Sequence, residues 1–216
     1  MSNTAAYTGP EEIERRSFEI IREELEKRRA SDPRRKRSPA EEAVLTRVIH
    51  ATADFDYDER LLFTHDAAEA GTGILRAGTR IVTDTQMALA GINKAALARY
   101  GGEARCFMAD ADVAETARAR GITRASAAVD KAAALDGSLV FAVGNAPTAL
   151  IRLHELIRAG TVTAQLVIAV PVGFVNVEES KELFTDLPIP CIIARGRKGG
   201  STVAAAIVNA LLYMKE

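Results

Sequence analysis

Arg47 and His50 lie three residues apart in Arg47-Val48-Ile49-His50, a spacing that puts both on one face of a helix. Imidazole can give or take a proton near neutral pH, and a guanidinium can hold a carboxylate. A guanidinium alone opposes protonation of a neighbouring imidazole, and a bound anion offsets that opposition. The pair therefore suits proton transfer to an anionic substrate. A lone histidine serves structure more often than catalysis, so both readings stay open at this point. His65, in Thr64-His65-Asp66, reads as a cap or surface residue, and His154 in Leu153-His154-Glu155-Leu156 reads as structural.

Four loops carry further chemistry. Arg195-Gly196-Arg197-Lys198-Gly199-Gly200-Ser201 follows an aliphatic run and opens a helix. Its cations, glycines and helix start make a carboxylate or phosphate cradle, favoured over a solvated charge cluster. Gly144-Asn145-Ala146-Pro147-Thr148 is either an efficient strand-to-helix turn, with Asn145 as cap, or an anion site built on free N–H groups. Pro171-Val172-Gly173-Phe174-Val175 either walls a flat apolar ligand or closes over the core. Arg124, after Gly121-Ile122-Thr123, is a cation at a helix start, mildly unfavourable there unless it meets an anion. Neither a P-loop spacing nor a Gly-x-Gly-x-x-Gly after a strand is present, so no nucleotide site is indicated.

The elements that must position these residues fall into three blocks. Residues 11–60 read as wholly helical, with Ile13, Ser17, Ile20, Ile21, Glu24 and Leu25 following a helical period. A basic connection, Asp32–Pro39, interrupts them, and helix resumes from Ala40 through His50. The middle block alternates aliphatic runs (Arg80–Asp84, Arg105–Ala109, Ser138–Val143, Leu166–Val170, Cys191–Ala194) with helical segments (Ile92–Tyr100, Val113–Arg120, Arg124–Leu135, Thr148–Ala159, Val177–Leu183). Continuous aliphatic strands between helices predict a mostly parallel sheet covered on both faces. Ser201–Lys215 reads as an alanine-rich terminal helix. The expected fold is thus a single three-layer α/β domain over residues 1–216, with a helical N-terminal portion and a strand/helix core over 78–216. Ligands of such sheets collect beyond the carboxyl ends of the strands, where the four loops lie.

Composition removes several function classes. Lys plus Arg (28) nearly balances Asp plus Glu (29), so nothing draws the whole chain to nucleic acid or an anionic membrane. The run Arg34–Arg37 is short and carries no interleaved aromatic residues, and no role is assigned to it. No apolar stretch approaches the roughly 20 residues of a membrane span, and Met1–Pro10 lacks signal-peptide features. Cys106 and Cys191 suit buried thiols in a reducing compartment and make a poor basis for a metal site. A cytoplasmic location is the expectation, with no metal.

Several of these stretches occur together in a recognisable order. They are Arg16-Ser17-Phe18-Glu19-Ile20-Ile21, then Arg47 through Phe55, then Asp84-Thr85-Gln86-Met87, then Thr123-Arg124. Gly144 through Leu150, Pro171 through Val175, Glu179-Ser180-Lys181 and Gly196 through Ser201 complete the series. In this the chain resembles the precorrin-8X and cobalt-precorrin-8 methylmutases of cobalamin biosynthesis, over nearly its whole length. The resemblance implies a [1,5]-sigmatropic shift that moves a ring methyl from C-11 to C-12, giving hydrogenobyrinate or its cobalt counterpart. Methyl transfer is then intramolecular, without a methyl donor or other cofactor. It also implies a homodimer, a site built around His50, and substrate contacts from Ser17 and Arg47.

The residues fit that chemistry. A sigmatropic shift needs no nucleophile, and no nucleophile–base pairing is evident here. Protonating or hydrogen-bonding a ring nitrogen from His50 would favour it. The substrate's acetate and propionate groups would give Arg124, Asn145, Thr148, Arg197, Lys198 and Ser201 a common purpose as carboxylate contacts. Ser17 sits in an otherwise apolar stripe, where a bound ligand would satisfy its hydroxyl. The resemblance further implies hand-over of product to the next enzyme of the pathway. Two other readings are an S-adenosylmethionine-dependent tetrapyrrole methyltransferase and a non-catalytic corrinoid carrier. The motifs do not separate cobalt-containing from metal-free substrate.

Overall fold

The computed structural model describes residues 9–30 and 36–214. Helices α1 (Pro10–Arg29), α2 (Pro39–Thr52) and α3 (Tyr57–Arg60) lead into β1 (Leu61–Thr64) and α4 (Ala67–Arg76). Strand β2 (Arg80–Thr83), α5 (Gln86–Gly91), α6 (Lys94–Ala98), β3 (Glu103–Arg105), α7 (Ala111–Arg120) and α8 (Arg124–Ala133) follow. The chain then runs through β4 (Leu139–Val143), α9 (Pro147–Arg158), β5 (Ala164–Ala169), α10 (Val177–Glu182), β6 (Cys191–Ala194) and α11 (Ser201–Tyr213). The strands form a six-stranded sheet in the order β1-β6-β5-β4-β2-β3. All neighbours pair in parallel except β1, which runs antiparallel to β6.

Alternating side chains of the central strands enter two separate cores. Val140 and Ala142 of β4, with Leu166 and Ile168 of β5, pack under α1, α2, α4 and α11. Leu139, Phe141 and Val143, with Val167 and Ala169, pack under α7, α8 and α9. Burial on both faces explains why these strands read as unbroken aliphatic runs. Each large apolar side chain so buried contributes about 1.5–3 kcal/mol.

Helix α2 shows how sequence sets the position of Arg47 and His50. Ser38 and Glu41 close a reciprocal capping box, each bond 3.1 Å, and Pro39 occupies the first turn. Val44, Leu45, Val48 and Ile49 are buried, chiefly against α11, so Arg47 is left half-buried and His50 exposed. Ala53 ends the helix in the left-handed region (φ 53°).

The structure corrects several expectations from sequence. Residues 36–38 are non-helical, as expected of the basic connection, but 53–56 also break the helical block of residues 11–60. Strand β1 and helix α4 fall in a stretch to which the sequence pattern assigned no element. Strand β3 lies at Glu103–Arg105 rather than Arg105–Ala109, because Phe107 and Met108 leave the sheet edge and turn into the core under α7 and α8. Only Ile21 and Leu25 of the α1 stripe are buried, while Ile13 and Ile20 stand 45% and 49% exposed. Ser17 therefore lies half-buried outside the core, and burial alone does not require a partner for its hydroxyl. Arg37, the last residue of the basic run, donates to the carbonyls of Asp58 and Leu61 and lies over Phe63. The expectations for Met1–Thr8, Asp32–Arg35 and Lys215 lie outside the described residues. No helix among the described residues is long and apolar enough to cross a membrane.

Candidate active site

His50 opens onto a cavity of about 320 Å³ between the end of α2, α5 and the first turns of α11. Arg47, Ala51, Met87, Gly91, Thr202, Ala205, Ala206 and Asn209 complete its lining. Small residues on α11 make the floor, and Met87, 68% exposed, stands at the mouth. Asn209 holds the adjoining turn, accepting from Asn93 N and donating to Gly91 O, each at 2.8 Å. Among the described residues, neither the His50 imidazole nor the Thr202 hydroxyl has a hydrogen-bond partner. Both keep their full capacity for a ligand.

Arg47 separates this cavity from a second one of about 410 Å³, lined by α1, α2 and α11. Its guanidinium pairs with Glu14 at 3.0 Å and lies over the rings of Phe18 (5.1 Å) and Tyr213 (4.9 Å). The Phe18 ring meets the His50 imidazole edge-on at 5.2 Å. Ser17 precedes Phe18 on α1, so the helix that carries Ser17 also packs on the histidine. The structure thus brings Phe18, Arg47 and His50 together, while Ser17, half-buried on the same helix as Phe18, lines neither cavity.

A row of contacts along the carboxyl edge of the sheet links the remaining residues. Thr148, in the first turn of α9, bonds Thr123 at 2.9 Å, and Thr123 caps the helix that starts at Arg124. Gly144 lies so close to Ser201 that a Cβ there would meet the Ser201 Cα at 2.7 Å. The Ser201 hydroxyl bonds Thr85 at 2.7 Å, and Thr202 beside it lines the His50 cavity. Arg124 is exposed, at the end of the row away from His50.

Two expectations are corrected here. The N–H groups of Gly144, Asn145 and Ala146 in the turn before α9 are not free, and Asn145 is not its cap. The buried carboxylate of Asp84 accepts from the backbone N–H groups of Gly144 (2.8 Å), Asn145 (2.7 Å) and Ala146 (2.7 Å), and Ala146 occupies the cap position. The protein supplies its own anion to this helix start. Burial pushes the Asp84 carboxyl upward, against the pull of those three donors. The exposed Asn145 side chain still faces solvent at the strand end.

The cradle after β6 is likewise occupied from within. Lys198 donates to Asp54 and Asp56, both at 2.6 Å, and these hydrogen bonds to carboxylates raise its affinity for a proton. Arg197 pairs with Glu178 at 3.0 Å and lies over Phe174. Phe174 and Val175 are 83% and 76% exposed, so Pro171–Val175 does not close over the core. No cluster of metal-ligating side chains occurs among the described residues, and Cys106 and Cys191 are buried and unpaired. Burial pushes the Cys191 thiol up to about 12.

Reasoning from sequence assigned no role to Asp84, Thr85, Phe18, Met87, Lys181, Thr202 or Asn209. Asp84 through Met87 did mark itself as a motif directly after a strand, and Glu179 through Lys181 as another. Phe18 lay within the Arg16–Ile21 stretch, while Thr202 and Asn209 carried no local signal.

The family model described as precorrin-8X methylmutase matches residues 12–214. A cobalt-precorrin-8 methylmutase of Salmonella typhimurium is 51% identical over 94% of this chain and 95% of that one. A precorrin-8X methylmutase of Pseudomonas aeruginosa is 39% identical over 81% of this chain and 85% of that one. The crystal structure of a precorrin-8X methylmutase from Thermus thermophilus superposes with a TM-score of 0.80, at 42% identity, covering 93% of this chain and 95% of that one. The chain belongs to the precorrin-8X methylmutase family, isomerases that move a methyl group within a tetrapyrrole.

Proposed function

We propose that His50 acts in the methyl shift as the proton or hydrogen-bond donor to a ring nitrogen of the bound tetrapyrrole. The observation that carries this reading is the His50 imidazole itself: exposed in a cavity with largely small or apolar walls, met edge-on by Phe18, and without a hydrogen-bond partner among the described residues. A rearrangement within one molecule asks the protein for geometry and for a bias in the ring's electron distribution, not for a nucleophile. Arg47 pairs a peripheral carboxylate once that carboxylate displaces the exposed Glu14. Ser17, Thr148, Ser201, Asn145 and Arg124 contact further acid groups along the carboxyl edge. Arg197 and Lys198 reach a substrate acid only by exchange with Glu178, Asp54 or Asp56.

The relative at 51% identity carries the cobalt-containing substrate in its name. On that support we take cobalt-precorrin-8 as the natural substrate, with precorrin-8X as the alternative. A homodimer in a cytoplasmic setting fits the open site. A cavity of about 320 Å³ is at the small end of sites for drug-sized ligands, and a corrin with its acid side chains is larger. Exposed Phe174, Val175 and Met87 would supply a second wall from a second copy. Hand-over of product to the next enzyme is consistent with a site open on one side.

The test is anaerobic mixing of the purified protein with cobalt-precorrin-8 and separately with precorrin-8X, followed by absorption. Conversion by wild type, with binding but no conversion by His50→Ala, supports the assignment. Equal conversion by both proteins removes His50 from the mechanism. Sedimentation in the same buffer decides the dimer.

A further inference from the structure

Lys181 is the charged side chain sealed most completely within the described residues, at 0% exposure on α10. Its Nζ donates to the carbonyls of Gly196 at 2.7 Å and Lys198 at 2.8 Å. Among the described residues no carboxylate forms an ion pair with it; nearby Glu178 is paired with Arg197 at 3.0 Å. Taking an ammonium out of water is costly without a counter-charge. Loop carbonyls do not ordinarily demand it, since water satisfies them. The expense is instead directed at the shape of one loop.

That loop, 195–200, is fastened at every side. Arg195 N donates to Arg60 O at 2.8 Å, Gly173 N to Arg197 O at 3.2 Å, and Gly200 N to Val170 O at 2.8 Å. Gly199 (φ 157°) approaches the Val170 carbonyl so closely that a Cβ would collide with it. Lys198 reaches from the loop to Asp54 and Asp56, in the turn that ends the His50 helix. The loop then delivers Ser201 and Thr202 into α11 beside the His50 cavity.

We propose that Lys181 is a positioning residue for the methyl shift, its buried amine clamping the Gly196 and Lys198 carbonyls so that loop 195–200 joins the His50 helix to Ser201 and Thr202. This rests on the reading that the His50 cavity is the reaction site. Lys181 touches no substrate in this role. It fixes the wall on which substrate carboxylates are received, so its loss weakens binding more than the chemical step.

The experiment compares wild type with Lys181→Met, which keeps the apolar stem without donors, and Lys181→Gln, which keeps a donor without a charge. Turnover of cobalt-precorrin-8 is measured with hydrogen exchange of the 195–202 amides. In Lys181→Met, KM is expected to rise about tenfold with kcat within about threefold. Exchange across 195–202 is expected to quicken about tenfold, with Lys181→Gln intermediate in both. A merely structural lysine would lower the active fraction, and so kcat, and leave KM alone. An unchanged KM in whichever of the two variants folds overturns the proposal, as does a raised KM with unaltered exchange. His50→Gln, run in parallel, separates the two readings. If it turns over like wild type, the site reading fails; if it is inert while Lys181→Met keeps its KM, this proposal fails alone.

Discussion

The carboxyl edge of the sheet holds two kinds of polar region, and they differ in what they have left to give. The turn before α9 and the loop after β6 are saturated from within. Asp84 takes three backbone N–H groups, Lys181 takes two carbonyls, and Asp54 and Asp56 share Lys198. The His50 cavity is the reverse, with an imidazole and a hydroxyl that have no hydrogen-bond partner among the described residues, against largely apolar walls. Polar residue types at strand ends are common to both regions. What separates a scaffold from a site is unspent hydrogen-bonding capacity, which only the folded chain reveals.

The largest expected effect comes from the open region. His50→Gln keeps a similar shape without a titratable ring, and kcat should fall about a hundredfold or more. Because His50 is exposed, the unfolding free energy measured in urea should change by no more than about 0.5 kcal/mol. A kcat within threefold of wild type would break the comparison at its centre.

Within the saturated region, the turn before α9 should answer the opposite way, in stability rather than chemistry. Asp84→Ala strands three N–H groups where the carboxylate stood, at about 2–4 kcal/mol net after the relief of burying a charge. Urea unfolding measures this. An unchanged midpoint would mean the turn tolerates an empty anion position. Arg47→Met lies between the two regions, since Arg47 is both paired with Glu14 and on the cavity wall. KM should rise about tenfold, the value of one charge-assisted contact, with a smaller change in kcat. A fall in kcat with KM intact would instead place Arg47 in the transition state rather than in binding.

The two regions also differ in how legible they were. The pairing of Arg47 with His50 needs only a helical period, and Val44, Leu45, Val48 and Ile49 declare which face is buried. Strands β4 and β5 declare themselves by unbroken aliphatic runs. Strand β1 does not: four residues follow directly on a polar helical turn, and its antiparallel partner is far along the chain. Asp84 finds its donors some sixty residues away. Lys181, flanked by acidic residues in a short polar helix, looks solvated until loop 195–200 folds over it. Local periodicity reports faces; it is silent on which distant backbone groups a side chain will satisfy.

The smallest effect sharpens the comparison most directly, because it weighs the cost of saturation itself. Burial pushes the Lys181 amine down to about 8, with Glu178 on its own helix and Arg60 from α3 facing it. An exposed lysine titrates near 10.4, so below about pH 8 both native and unfolded chains carry the proton. Between about 8 and 10.4 the native chain has released it while the unfolded chain still holds it. The unfolded state then binds more protons, and stability must rise with pH across that window. Lys181→Met has no such group, so the stability of wild type relative to Lys181→Met should rise between pH 7.5 and pH 10. Every other titrating group is common to both proteins and cancels in the difference. Tyr57 and Cys191, both pushed by burial up to about 12, lie above the window in any case. A difference that stays flat would show that the amine is not held as a costly buried charge, and that loop 195–200 is kept in place by its glycines and backbone bonds alone.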